Sequence, residues 1–153
     1  MPGIHSAFVI EEAALEDVEA VAPLFDEYRK FYGQAADPAG ARKFLRDRLV
    51  ARQSKIFLAK RDPAVFGFVQ LYPSFSSVSM KPLWILNDLF VLPSARKTGA
   101  ATALMERARR LAAETGAEGL VLETAVDNLA AQKLYEKLGW KREVQFYRYN
   151  LDL

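Results

Sequence analysis

Arg96-Lys97-Thr98-Gly99-Ala100-Ala101-Thr102 puts two cations, two hydroxyls and three small residues into one short stretch. It follows the apolar run Leu86-Asn87-Asp88-Leu89-Phe90-Val91-Leu92 and opens a helix-like pattern. The first N–H groups of a helix have no partner inside it and carry partial positive charge. Gly99, Ala100 and Ala101 are small enough for a diphosphate to approach that backbone. The chemistry is an anion cradle at the end of a strand, where α/β ligands bind. An ordinary turn with small residues for packing is the plainer alternative. The Gly-Lys-Ser/Thr ending of a P-loop is missing. A second pair stands further on: Asn128 and Tyr135, seven residues apart. At ~100° per residue they share one helix face about 10 Å apart, so both could face one elongated ligand. A plain N-cap for Asn128 and a core aromatic for Tyr135 are the alternatives.

Composition removes other chemistries. The 153 residues contain no cysteine and a single histidine, His5, which excludes thiolate metal sites and cysteine nucleophiles and argues against a His-based metal cluster or triad. Lys plus Arg number 21 and Asp plus Glu 19, a net charge of +2 and too weak a field to argue for nucleic acid. Hydrophobic residues at 51% and charged residues at 26% fit a globular core. No apolar run approaches the ~18 residues of a membrane span. Met1 to Ser6 shows no secretory pattern. The expectation is one cytoplasmic domain over 1–153, with no metal, no nucleic acid and no membrane.

Those residues need elements to hold them. Ala7 to Glu11 alternates as a strand. Val18, Val21, Ala22, Phe25, Tyr28 and Tyr32 recur at helical spacing, with Pro23 as an interior blemish and Gly33 as the stop. Asp37-Pro38 starts a second helix with an apolar stripe at Ala41, Phe44, Leu45 and Leu49. Its other face, Arg42, Lys43, Arg46, Arg48 and Arg52, reads as solvated. Lys55 to Lys60 and Val65 to Tyr72 form a hairpin around Arg61-Asp62-Pro63. The serine-rich stretch from Pro73 to Pro82 reads as a loop. Leu83 to Leu92 reads as a central strand with Asp88 in its middle. A helix from about Gly99 to Thr115, a strand from Gly119 to Thr124 and a helix from Asn128 to Leu138 follow. Glu143 to Leu153 reads as a final strand whose apolar phase shifts near Phe146, as at a bulge. The order is β-α-α-β-β-β-α-β-α-β, an α/β sheet with helices on both faces.

Arg96-Lys97-Thr98-Gly99-Ala100-Ala101, Asn128, Tyr135 and Leu138-Gly139-Trp140 together resemble the GCN5-related N-acetyltransferase superfamily. Its pyrophosphate loop has the form Arg/Gln-x-x-Gly-x-Gly/Ala, and its Asn-to-Tyr helix ends in a Leu-Gly-aromatic turn. The resemblance covers nearly the whole chain. Lys97 departs from the glycine common after the arginine. The strand Asn87 to Val91 and the serine-rich stretch look most like the yeast histone and polyamine acetyltransferases and their bacterial relatives.

The resemblance implies a mixed, mostly antiparallel sheet and acetyl-CoA as co-substrate. Its pantetheine arm would lie along Leu89, Phe90 and Val91 as an added strand does, in a splay between that strand and the next. An N–H near Phe90 would polarise the thioester carbonyl. The diphosphate would rest on Arg96, Lys97, Thr98, Gly99, Ala100 and Ala101, with Thr102 next, and Asn128 would bond the arm. A primary amine (small molecule, polyamine or lysine) would attack directly. Asp88, Glu123 or water would take its proton, and Tyr135 would protonate the departing thiolate. Tyr28, Tyr32, Tyr72 and Trp84 would wall the acceptor site, entered between the first two helices and the stretch Pro73 to Pro82. For Asp88 the plainer alternative is a carboxylate bonded to backbone or an arginine. Relatives dimerise through the last strand, sometimes by exchange, which implies a homodimer. A non-catalytic acyl-CoA-binding sensor or partner module on the same fold is the competing reading. A dinucleotide-binding fold lacks its Gly-x-Gly-x-x-Gly.

Overall fold

A computed structural model describes residues 7–153. The leading segment Met1 to Ser6, with its histidine His5, lies outside the described residues. Two compact units meet in sequence between Leu122 and Glu123.

The first unit runs β1 (Val9–Glu12), α1 (Val18–Phe31), α2 (Pro38–Val50), β2 (Lys55–Arg61), β3 (Ala64–Ser76), β4 (Lys81–Val91), α3 (Ala100–Glu114) and β5 (Leu120–Val121). The strands lie in the order β1-β2-β3-β4-β5. The first four pair antiparallel, and β5 joins β4 in parallel. Directly opposed residues share a face of a pleated sheet, so the register separates two layers. Ile56, Leu58 and Phe68 pack with Val21, Phe25, Ala41 and Leu45 beneath α1 and α2. Phe57 points the other way, where Arg107 of α3 stacks 4.3 Å over its ring. Each such fully buried large side chain contributes about 1.5–3 kcal/mol. Helices therefore cover both faces, as the sequence pattern requires.

Local chemistry sets the helix ends. Asp37 caps α2 by accepting from the Gly40 N–H at 3.0 Å, and Pro38 comes next. Asp26, buried in α1, accepts from the Asp37 N–H at 3.1 Å and from Arg29 at 2.8 Å. This carboxylate ties the end of α1 to the start of α2 and fixes the gap between them. Pro23 does not end α1, which continues to Phe31. Gly116 closes α3 at φ +68, the left-handed conformation glycine tolerates best.

The expected loop from Pro73 to Pro82 is not a loop. β3 continues to Ser76 and β4 begins at Lys81, with Pro73 opposite Trp84 and Ser76 opposite Lys81. Pairing of β2 with β3 stops at Lys55 and Leu71, so beyond Leu71 one side of β3 has no ladder. Pro73 lacks an N–H and fits such an edge. The serines reflect a hairpin arm that reaches past its neighbours. β5 is also shorter than the expected Gly119 to Thr124.

The second unit, Glu123–Leu153, holds α4 (Leu129–Lys137). Asn128 caps it, and Gly139 stands just past its end at φ +92. The expected final strand from Glu143 to Leu153 is not formed: residues 141–153 carry no regular secondary structure. Alternation supplies a face, but a strand exists only through ladder hydrogen bonds, and this segment makes none with its own unit. Among the described residues no helix is long and apolar enough to cross a membrane.

Candidate functional site

The register of β3 and β4 changes at one residue. Gln70 opposes Asp88, yet Leu71 opposes Leu86, so Asn87 is an extra residue on β4. A bulge inverts the side-chain phase and re-aims the residues beyond it. Here it turns Asp88 to the α1 face beside Gln70. Asp88 is only 4% exposed. Gln70 Nε2 donates to its Oδ2 at 2.6 Å and Asn87 Nδ2 to its Oδ1 at 3.0 Å. Burial raises the Asp88 pKa above the ordinary carboxylate value, and the Gln70 and Asn87 amides, with the nearby Tyr28 phenol, offset part of that rise. No arginine pairs with Asp88 among the described residues. Its hydrogen-bond partners are the Gln70 and Asn87 amides rather than the backbone or arginine of the plainer alternative.

Aromatic rings surround this carboxylate. Tyr28 meets Tyr32 edge-on at 4.9 Å, Phe68 at 6.0 Å and Phe90 at 6.2 Å. Its hydroxyl also donates to the Asn87 carbonyl at 3.3 Å. Tyr72 lies two residues from Gln70 on the same face, and burial, then the Asp88 charge, pushes its phenol up to about 12. Trp84 does not join this wall. It opposes Pro73 on the other face, and its indole N–H donates to Thr115 Oγ1 at 2.9 Å, beyond the end of α3. Tyr28, Tyr32 and Tyr72 thus stand on the Asp88 side of the sheet and Trp84 on the other.

Leu89, Phe90 and Val91 oppose Val69, Phe68 and Gly67. On the other side of β4, pairing with β5 ends at Ile85 and Val121. The far end of β4 therefore carries an edge that β5 does not fill.

After β4 a single 3₁₀ turn, Pro93–Ala95, leads into the loop. Thr98 Oγ1 donates to the Ala95 carbonyl at 2.8 Å and braces it. Lys97 and Gly99 both adopt positive φ, +63 and +85. The left-handed conformation at Lys97 accounts for the glycine that the resemblance leads one to expect there. Gly99 caps α3, and a Cβ placed on it would meet nothing within 4 Å. The N–H groups of Gly99, Ala101 and Thr102 have no partner among the described residues. Free donors, open space and the cations Arg96 and Lys97, which form no ion pair among the described residues, fit a diphosphate. Replacing Gly99 by alanine forces a Cβ into the left-handed region and lowers stability by about 1–2 kcal/mol. Thermal unfolding checks this, at about 2–4 °C per kcal/mol for a chain of this size.

In the second unit, Asn128 Oδ1 accepts from the Ala131 N–H at 3.2 Å. The cap uses the oxygen and leaves the amide nitrogen outside it. Tyr135 lies on α4 with its ring 6.2 Å from Trp140. Glu123 is not on a strand, and its carboxylate forms an ion pair with Arg148.

Sequence reasoning misses Gln70, Asn87 and Arg48. Gln70 is a lone amide within the apolar run Val65 to Tyr72, and Asn87-Asp88 is a polar pair inside a buried strand. Both are readable signals of a buried polar cluster and a bulge. Arg48 is half-buried at the edge of the solvated basic face, and its Nε is buried without a hydrogen-bond partner among the described residues.

The acetyltransferase (GNAT) family model matches residues 21–140. An uncharacterized N-acetyltransferase of Bacillus subtilis, YhfO, is 46% identical over 144 residues, covering 94% of this chain and 97% of the relative. A probable acetyltransferase of Haemophilus influenzae is 33% identical, covering 90% and 92%. The crystal structure of a probable acetyltransferase superposes with a TM-score of 0.90 at 44% identity, covering 95% of this chain and 97% of that one.

Proposed function

Because the chain belongs to the acetyltransferase (GNAT) family and is an N-acetyltransferase, we propose that it transfers the acetyl group of acetyl-CoA to a primary amine by direct attack. The family uses acetyl-CoA. The observation that carries the assignment to this chain is the loop before α3, with its left-handed Gly99, open space and free N–H groups.

Bound acetyl-CoA supplies an electrophilic thioester carbonyl. Arg96 to Thr102 would hold its diphosphate through backbone N–H groups and the two side-chain cations. The unfilled edge at Leu89, Phe90 and Val91 would take its pantetheine arm by main-chain hydrogen bonds. An N–H near Phe90 would polarise the carbonyl. The Asn128 amide nitrogen, left out of the cap, would bond the arm.

An ammonium cannot attack, so it must first lose a proton. Asp88 takes it, directly or through water. Burial brings this carboxyl closer to the working pH and makes it a better base than an exposed one. Glu123 is the weaker candidate, since Arg148 neutralises it. Tyr28, Gln70 and Asn87 fix Asp88 in place. Tyr28, Tyr32 and Tyr72 line the approach, where ring faces suit a cationic amine. Tyr135 gives its proton to the departing thiolate.

The working unit in this reading is one domain over 1–153, cytoplasmic, acting on a small-molecule amine or a lysine side chain. It is a homodimer joined through the alternating apolar segment Tyr147, Tyr149, Leu151 and Leu153. Light scattering at micromolar concentration gives twice the chain mass if so, and the chain mass if not. The reaction is tested by thiol release from acetyl-CoA over a panel of amines and short lysine peptides. Calorimetry with acetyl-CoA alone supports the cradle by a saturable heat. No thiol release on any acceptor would overturn the transfer reading, and no heat would overturn the cradle.

A further inference from the structure

Two polar groups under α1 and α2 are incomplete. Gln70 is fully buried, and while its Nε2 donates to Asp88, its Oε1 has no partner. Beside a negative carboxylate, this leaves one buried acceptor in want of a donor. Arg48 has the opposite need. It lies three residues after Leu45 and seven after Ala41, both in the core, so helical spacing continues the buried stripe of α2 through Arg48. Its guanidinium stacks 5.0 Å over the Phe44 ring. Its Nε is buried without a hydrogen-bond partner, and it forms no ion pair among the described residues. Neighbouring Asp47 is taken by Lys43 at 2.5 Å. A buried donor left unmade costs about 1–3 kcal/mol, more when charged.

Tyr72 links the two groups. It stands about 7 Å along β3 from Gln70 on the same face, and its phenol feels both the Asp88 and the Arg48 charges. Ring contacts reach the same place: the Phe44 ring beneath Arg48 stacks 5.7 Å from Phe25, and Phe25 lies 6.4 Å from Tyr28. The face therefore carries a negative group at Asp88 and a positive one at Arg48.

We propose that the acceptor is an amino carboxylate, its amine held at Asp88 and Gln70 and its carboxylate held by Arg48. This rests on the acetyl-transfer reading above and narrows its substrate class. One molecule bearing both groups satisfies the orphaned Gln70 oxygen and the orphaned Arg48 Nε together. A planar guanidinium suits a carboxylate because it offers paired donors in a fixed fork.

The experiment compares amino acids with their decarboxylated amines and their carboxamides, for example lysine with cadaverine and lysinamide, on wild type and on Arg48→Met. Wild type is expected to favour the carboxylate member of a pair by tenfold or more in kcat/KM. Arg48→Met should erase that preference through KM and leave the decarboxylated amines unchanged. Its thermal midpoint should not fall, because the variant removes an unpartnered buried donor. Equal losses on both members of each pair, or no carboxylate preference in wild type, would overturn the inference. Should no acceptor release thiol, the acetyl-transfer reading fails, and the inference is then read from binding alone. A thermal shift on adding amino acids that Arg48→Met abolishes sustains the carboxylate site, and no shift in wild type sinks it.

Discussion

Asp88→Asn lowers kcat by about 10²–10⁴-fold, the usual worth of a general base, and at the same time raises the thermal midpoint at neutral pH. The two effects have one cause. Asp88 is buried, and burial disfavours its charged form. Its folded pKa therefore stands above its unfolded one. A group with that sign contributes stability fully below its unfolded pKa and loses it as pH rises through the folded value. At neutral pH the wild-type protein holds a carboxylate where the fold prefers a neutral group. Asparagine stays neutral, and its amide can donate to Gln70 Oε1, which now lacks a partner. The midpoint gap between variant and wild type should thus open as pH rises and close in acid. In wild type the base must be ionised, so kcat/KM should fall on the acid side at a pH displaced upward from about 3.9. The groups facing Asp88 are Tyr28 from α1, Tyr72 and Gln70 from β3 and Asn87 on its own strand, with the Arg48 charge acting on Tyr72 from α2. Melts and initial rates across pH check both halves. A variant with unchanged turnover removes Asp88 as the base; a gap that narrows as pH rises removes the burial argument.

Some of this is legible in the residues, and the reasons divide cleanly. Helix ends are readable because they are decided locally. Asp37-Pro38, Asn128, Gly99, Gly116 and Gly139 act through their own side chain or their own φ, and each stands where the pattern puts it. Strand extents are less readable because a strand is settled by its neighbour. Pro73 and the serines look like loop residues until β2 is seen to stop short of them. Residues 141–153 look like a strand, and their alternation persists without a ladder. Asp88 stands out as an odd carboxylate in an apolar run, but the direction in which it points does not. That direction depends on Asn87 being extra, a matter of counting residues on two strands at once. Trp84 faces away from Asp88 for the same reason, since the bulge separates their faces. Arg48 misleads because a run of basic residues suggests a solvated face, whereas its spacing from Ala41 and Leu45 carries it inward.

Tyr135→Phe is expected to lower kcat by about 10²–10⁴-fold with the acetyl-CoA dissociation constant unchanged. The substitution removes one hydroxyl and keeps the ring, so the contact with Trp140 at the end of α4 is retained. The Asn128 cap is untouched. A packing role of the ring would therefore survive the change and a proton-donor role would not. The size of the loss depends on what leaves. An alkyl thiolate, with a parent pKa of about 8.5, needs a proton, and a phenol of about 10 can give one when geometry offsets the small mismatch. A more acidic thiol departs as a stable anion and needs no donor. An acetyl donor with an aromatic thiol as leaving group should therefore restore most of the variant's rate, whereas acetyl-CoA should not. Equal losses with both donors would mean that the hydroxyl positions something rather than protonating it. A weakened dissociation constant with kcat preserved would make Tyr135 a binding residue and leave the thiolate to solvent.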